Sequence, residues 1–246
     1  MTSPPLTLEA ALTEMKERAL LDRPLIARLT IVFAVISAVI GLAGAAGGFG
    51  QAVALGVSLL VGVAYTGMVA QLVCVPGSSR DFSGLWKEIA PILARLVWVT
   101  LIVGVGVGIG LLAFIVPGLI LLTLWFVAQP TVVAERTEVL GSLGRSRELV
   151  RGNGLRVFLF LLVLLLLALL ASTLALVIAR PFGTGLLGLT VASFALALTV
   201  NPLVAVGSSA VYNCLAGGSL ADHALKDSPD PVEDLPGNEE QPAPRE

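Results

Sequence analysis

The fold is decided by residues 157–179, which read VFLFLLVLLLLALLASTLALVIA and contain no charged side chain. About 20 apolar residues in a helix cross the hydrocarbon of a bilayer, so this run is long enough to span one. The whole chain agrees: of its 246 residues 56% are hydrophobic and 13% are charged, and the mean hydropathy is +0.94. A soluble domain carries about 25% charged residues. The composition excludes an ordinary soluble enzyme and a mainly disordered chain, and predicts a polytopic membrane protein.

Further apolar stretches on both sides of this run predict an all-α bundle of six transmembrane helices. The predicted spans are 25–47, 52–75, 96–116, 119–134, 157–179 and 186–211. Pro117-Gly118, a typical turn dipeptide, separates the third span from the fourth and predicts a tight hairpin. Pro130 and Pro202 lie inside predicted spans, where a proline leaves a carbonyl without its donor, and are expected to bend them.

The basic residues predict the orientation of these spans. Fourteen of the 15 Lys and Arg residues fall on one side of the arrangement and only Arg180 falls on the other. The positive-inside rule then places both termini in the cytoplasm, and we expect a multi-pass plasma membrane protein. A cleaved secretory signal is the alternative for the start of the chain, but its apolar part, 25–42, is longer than a signal requires.

The predicted spans divide the chain into three regions. Residues 1–24 carry Leu8, Leu12, Met15 and Ala19 at helical spacing and predict an amphipathic segment on the cytoplasmic surface. Residues 25–217 form the membrane domain. Residues 218–246 form an acidic tail that we expect to be disordered, because it is polar and rich in proline.

Two of the predicted cytoplasmic loops also carry apolar stripes. One stripe runs from Phe82 to Leu93, and a weaker one comprises Val139, Leu140, Leu143 and Val150, so both loops are expected to form interfacial helices. An arginine follows each amphipathic segment at the mouth of a span, at positions 28, 95 and 156. This spacing indicates three pseudo-repeated hairpins, although the inner end of any span favours such an arginine.

The segment 135–156 contains the candidate site. Glu135 ends the fourth span, where an unpaired carboxylate is costly, so we expect a helix over 139–152 to bring an arginine to it. The other arginines are expected to contact anionic headgroups, Ser146 to face the bundle, and Gly152 to end the helix. The candidate lipid-contact residues are Glu135, Arg145, Ser146, Arg147, Arg151 and Arg156. In the alternative interpretation, these bases only set the topology.

A longer pattern runs through the same region. It comprises Pro117, Gly118, Pro130, Glu135, Ser146, Leu149 and Gly152 in order, then Arg156 and the span from Val157, with Ala210-Val211-Tyr212 after the last span. The pattern resembles the membrane domain attached to some glycerophosphodiester phosphodiesterases, and related stand-alone bacterial membrane proteins. The enzymes carry a soluble catalytic barrel with histidines and acidic metal ligands. Because this chain offers one histidine, His223, in its acidic tail, the resemblance implies the membrane domain alone.

The inventory of reactive side chains favours a protein without catalytic activity. One histidine and two cysteines in apolar surroundings do not build a usual metal site, so we expect no metal and no cofactor, and no nucleic-acid partner. The leading hypothesis is a non-catalytic membrane protein that engages lipids, anionic ones included, or a membrane partner. The alternative is a transporter or permease subunit for an apolar or lipidic solute, which a cavity lined by Gln71, Gln129 or Asn201 would favour. The glycines of 104–110 indicate either close packing or a homodimer seam.

Overall fold

The computed structural model describes residues 8–21, 23–44, 48–183 and 186–217, which form helices and turns and no strand. The predicted acidic tail, 218–246, lies outside these residues. The helices in the described ranges are α1 (Leu8–Leu21), α2 (Arg23–Gly44), α3 (Gly48–Cys74), α4 (Phe82–Ile89), α5 (Leu93–Ala113), α6 (Ile115–Leu124), α7 (Ala128–Glu135), α8 (Val139–Val150), α9 (Gly154–Ala179) and α10 (Leu186–Ala216). Two short 3₁₀ helices, Ala90–Ile92 and Arg180–Phe182, extend this set. The predicted all-α fold is confirmed.

Six segments are long and apolar enough to cross a membrane, as the sequence predicts. They are Arg23–Leu42, Gly48–Cys74, Phe82–Ala113, Ile115–Glu135, Gly154–Phe182 and Thr190–Ala216. The chain is therefore a multi-pass membrane protein. The order of elements also repeats, because a short helix (α1, α4 or α8) precedes each pair of spans.

The core forms around α3 and α10. α10 packs against α1, α2, α3 and α9, and α3 packs against α2, α5 and α7. The half of α3 from Val63 to Val73 is almost entirely buried, whereas the outward side chains of α9 are leucines that face away from the bundle. This distribution is that of a membrane protein, in which exposed apolar surface meets lipid and not water.

The structure differs from the prediction at Pro117-Gly118. The chain reverses at Phe114, a single extended residue (φ −160°, ψ 144°) between α5 and α6. Pro117 lies in the first turn of α6, where a backbone N–H has no intrahelical partner and a proline costs nothing. Gly118 packs against α5, since a Cβ there would lie 2.6 Å from the backbone nitrogen of Leu111. The two residues therefore begin α6 and let it approach α5.

The two prolines within the spans behave differently. The fourth span breaks at residues 125–127, directly before the helical turn that contains Pro130. Pro130 has no N–H to donate to the carbonyl of Phe126, and the N–H of Ala128 donates to the carbonyl of Trp125 at 3.1 Å. α10 remains helical on both sides of Pro202. A bend at Pro202 stays a prediction.

α4 and α8 pack against the bundle with part of the predicted face, whereas α1 uses a face that is shifted from the predicted one. In α1, Ala11 and Glu14 are buried and Leu12 is exposed, because the side chains of Val211 and Leu215 in the same cluster as Ala11 select the contact face. In α8, Leu140 is 76% exposed, whereas Leu143 and Val150 are buried as expected. In α4, Leu85 and Ile89 are buried, whereas Phe82 and Trp86 remain exposed.

Candidate functional site

Glu135, the last residue of α7, joins three helices through its carboxylate. The Nε of Arg145 in α8 donates to Oε1 and Oε2, each at 3.2 Å, and the hydroxyl of Tyr212 in α10 donates to Oε1 at 3.1 Å. Arg145 also contacts Glu148 through Nη1 at 3.5 Å. The hydrogen bond with Glu135 is the main reason why the pKa of Arg145 is raised above its ordinary value. The structure thus brings one arginine of the predicted helix to Glu135, through a single shared N–H and not through a two-nitrogen fork.

Arg136 joins three more helices to the same point. Its Nη2 donates to Oε1 of Gln71 at 3.1 Å, and its Nη1 donates to the carbonyl of Glu88 at 2.9 Å. Its own carbonyl accepts a hydrogen bond from Nη1 of Arg95 at 3.2 Å. The sequence analysis missed this role. Arg136 ends α7 in the left-handed region (φ 54°), where arginine is uncommon, so its residue type gave no signal.

The other predicted site residues lie near this cluster but do not all join it. Ser146 is buried and its Oγ donates to the carbonyl of Leu124 at 2.7 Å, at the end of α6. Gly152, with φ +91°, follows the end of α8, and Arg156 donates from Nη1 to Oδ1 of Asn153 at 3.1 Å. The guanidinium groups of Arg147 and Arg151 are exposed. Within the described ranges these two groups make no hydrogen bond or ion pair.

These contacts gather the ends of seven helices, α3 to α8 and α10, in one place, which we call the basic end of the bundle; it is formed by residues 71–95, 124, 135–156 and 212–216. The hydrogen bonds of Arg95, Arg136, Ser146 and Tyr212 each join one helix to another. The cluster therefore fixes the mutual positions of the helices. Arg147 and Arg151 remain available at its surface for anionic groups.

A cavity of about 790 Å³ lies in the other half of the bundle, among α2, α3 and α10. Six of its lining side chains are polar and uncharged: Ser37, Gln51, Ser58, Ser172, Ser193 and Asn201. None of the described residues that line it is charged. A hydrophilic surface of this kind between membrane-spanning helices is costly to form unless it meets water or a ligand.

Four of these side chains have no hydrogen-bond partner among the residues that the structure describes: Ser37, Gln51, Ser58 and Asn201. Other hydroxyls in the spans satisfy themselves locally. Those of Thr100 and Thr131 donate to the carbonyl four residues earlier at 2.7 Å, and that of Ser172 does so at 2.6 Å. Leaving a polar group unpaired in an apolar medium costs on the order of 1–3 kcal/mol by mutational measures. The four side chains therefore favour an occupied or hydrated cavity.

The cavity has a closed floor and an open side. Phe33 and Tyr65, one helical turn from the lining residues Ser37 and Gly62, are buried and pack edge to face with ring centroids 5.4 Å apart. The hydroxyl of Tyr65 lies 2.9 Å from that of Thr30 and completes this floor towards the basic end. α9 packs closely along α10 and contributes Ser172 to the lining, but it has no comparable packing against α3 among the described residues, so the side between α3 and α9 is open.

Sequence reasoning found only part of this lining. Of the three polar side chains singled out in the spans, Asn201 lines the cavity, Gln71 binds Arg136, and Gln129 donates from Nε2 to Oγ1 of Thr100 at 2.7 Å. A usable signal was present in α3, where Gln51 and Ser58 are seven residues apart and share one helix face.

Comparison with protein-family models, curated proteins and solved structures gives no match for this chain. The resemblance to the membrane domain of glycerophosphodiester phosphodiesterases stays a prediction that rests on the residues quoted for it. Among the described residues, no three His, Cys, Asp or Glu side chains come together as a metal site. Fold and cavity define the class: a multi-pass membrane protein with an uncharged polar cavity between its helices.

Proposed function

We propose that this chain is a non-catalytic integral membrane protein of a bacterial plasma membrane that holds a lipidic molecule in the cavity among α2, α3 and α10. The observation that carries the proposal is the set of four polar side chains without partners that face this one space. Hydrogen bonds from a bound headgroup would remove the cost of leaving them unpaired.

The open side of the cavity favours a ligand that enters from the membrane. Leu55 on α3 lines the cavity and is 67% exposed, so the wall of the cavity reaches the outer surface of the bundle there. An amphiphile that enters here places its polar part against the serines and leaves its apolar part in the bilayer. The proposed orientation, with the basic end in the cytoplasm, places this entrance in the outer half of the membrane.

The lining chemistry supports binding and not catalysis. Its described polar members are hydroxyl and carboxamide groups, none of which exchanges a proton readily near neutral pH without an activating partner. We therefore propose that the bound molecule leaves the cavity chemically unchanged.

Native mass spectrometry with lipid analysis of the protein purified from its membrane tests this function. Ser37→Leu and Asn201→Leu put apolar groups into the cavity, whereas Thr173→Leu makes the same kind of change on the exposed side of α9. We expect wild type and Thr173→Leu to carry a lipid that both cavity variants lose. Equal lipid retention in all four proteins would refute the proposal, as would a folded wild type without bound lipid.

Transport is the second candidate, and the closed floor favours it. A cavity that is open to one side and closed on the other by Phe33, Tyr65 and Thr30 is one of the two states that alternating access requires. Liposomes that hold a fluorescent lipid analogue test this, because a quencher added outside reaches only the outer leaflet. If the quencher removes all the fluorescence from liposomes with the protein but only half from liposomes without it, the protein translocates the lipid. If it removes half in both samples, the protein only binds the lipid.

A further inference from the structure

We infer that the cavity selects an uncharged headgroup that carries hydroxyl or amide groups, such as that of a diacylglycerol, and excludes phosphate headgroups. This inference rests on the proposed function and names the ligand class. It follows from the match between the described lining, in which six neutral polar side chains lie among apolar ones, and the groups that such a lipid offers.

The lining groups can pair with all the hydrogen-bonding groups of a neutral headgroup. Each serine hydroxyl both donates and accepts, and the carboxamides of Gln51 and Asn201 each add two donors and one acceptor. They lie on different helices, with Ser37 on α2, Gln51 and Ser58 on α3, and Asn201 on α10. The hydroxyl and the two ester carbonyls of a diacylglycerol therefore find donors and acceptors on three walls.

A phosphate headgroup would meet no compensating charge in the same place. No described lining residue is a lysine or an arginine, and Arg180, the one basic residue predicted at this end, is exposed after α9 and does not line the cavity. Moving an anion out of water without a positive partner costs far more than moving a hydroxyl. The cavity is therefore selective against phospholipids, which are the most abundant competitors in any membrane.

The volume agrees with this assignment. About 790 Å³ lies within the range of roughly 300–1,000 Å³ that small-ligand sites occupy. It holds a headgroup and the first part of its chains, and the open side between α3 and α9 lets the remaining chain extend into the bilayer.

The basic end offers the opposite chemistry and supplies an internal control. Arg147 and Arg151 are exposed there without a partner in the described part of the chain, so anionic phospholipids bind at that end. One protein then carries two lipid classes at two places, and each class responds to different substitutions.

The test is a competition measured by native mass spectrometry on delipidated full-length protein. Diacylglycerol and phosphatidylglycerol are supplied in equal amounts to wild type, to Ser37→Leu, to Ser58→Leu and to the double variant Arg147→Gln/Arg151→Gln. We expect both cavity variants to lose at least nine-tenths of the diacylglycerol adduct and keep the phosphatidylglycerol adduct. The arginine variant should show the reverse.

The outcomes separate this inference from the proposed function. A phosphatidylglycerol adduct that Ser37→Leu and Ser58→Leu abolish would overturn the selectivity and leave lipid binding in the cavity intact. If no adduct of either lipid responds to the two cavity variants, the proposed function itself fails. Ser58 is exposed on α3, so its variant folds even if a leucine at Ser37 disturbs the contact between α2 and α3; circular dichroism confirms folding in each case.

Discussion

At the scale of single residues, the carboxylate of Glu135 does most to organise the basic end. Its position at the end of a span made a positive partner predictable, because a carboxylate there has little water around it. Which arginine reaches it was not predictable, since Arg145 and Arg147 differ only in how α8 is rotated against α7. Burial of Ser146 and Leu149 sets that rotation and turns Arg145 towards Glu135.

Arg145→Gln should therefore lower stability more than Arg147→Gln. The first substitution removes the hydrogen bond and the charge pair with Glu135, and the second removes an arginine that has no partner in the described structure. Because the side chain of Arg145 is 44% exposed, water screens the pair and we expect a loss of about 0.5–1 kcal/mol. Thermal unfolding in detergent measures it, and equal shifts for the two variants would contradict the assignment.

Tyr212 and Glu135 should act as a unit. Tyr212→Phe removes one hydrogen bond of 3.1 Å to Oε1, with an expected loss of about 1 kcal/mol. Glu135→Gln retains an oxygen that accepts hydrogen bonds but removes the negative charge, so it weakens the hydrogen bonds from both Tyr212 and Arg145. In a double-mutant cycle the two losses should sum to more than the loss of the double variant. Strict additivity would show that the two side chains are energetically independent.

At the scale of elements, the length of apolar runs predicted the six spans, but not where the chain turns between them. The turn between α5 and α6 lies at Phe114, an aromatic residue in an extended conformation that no turn signal marks. Gly118 had a different role from the one expected, because close packing on Leu111 requires the absence of a side chain. Likewise, α1 was predictable as a helix, whereas its contact face depends on α10 and is not present in its own pattern.

Gly118→Ala should destabilise the α5–α6 hairpin, because its Cβ would lie 2.6 Å from a backbone atom that cannot move aside. Gly104→Ala, in α5, is the matched control, since no atom lies within 4 Å of its added Cβ. It should be neutral or slightly stabilising, by up to about 1 kcal/mol of helix propensity. Unfolding temperatures that fall equally for both variants would contradict the packing of Gly118.

At the scale of the whole molecule, the two halves of the bundle differ in how their polar side chains are bonded. At the basic end, the side chains of Arg136, Arg145 and Tyr212 bond across helices, whereas the other half contains an open cavity with unpaired polar side chains. Composition predicted the membrane class and the number of spans. Asn201 and the helix face with Gln51 and Ser58 could be found from the sequence, but their meeting with Ser37 in one cavity could not, because it depends on how three helices pack.

The proposed orientation places the basic end in the cytoplasm. In a protein whose Cys74 and Cys214 are replaced by alanine, a cysteine at Gly141 should be protected from an impermeant thiol reagent in intact cells. A cysteine at Pro181 should react. Labelling at Gly141 together with protection at Pro181 would show that the protein has the opposite topology.

The reactivity of a cysteine at Ser37 tests the open polar cavity most directly. In the same background without native cysteines, Ser37→Cys in the delipidated protein should react with a water-soluble maleimide, and added diacylglycerol should slow the reaction. Val69→Cys, in the fully buried part of α3, is the control that should stay unreactive. A Ser37→Cys protein as unreactive as Val69→Cys would show that α2, α3 and α10 enclose no accessible cavity.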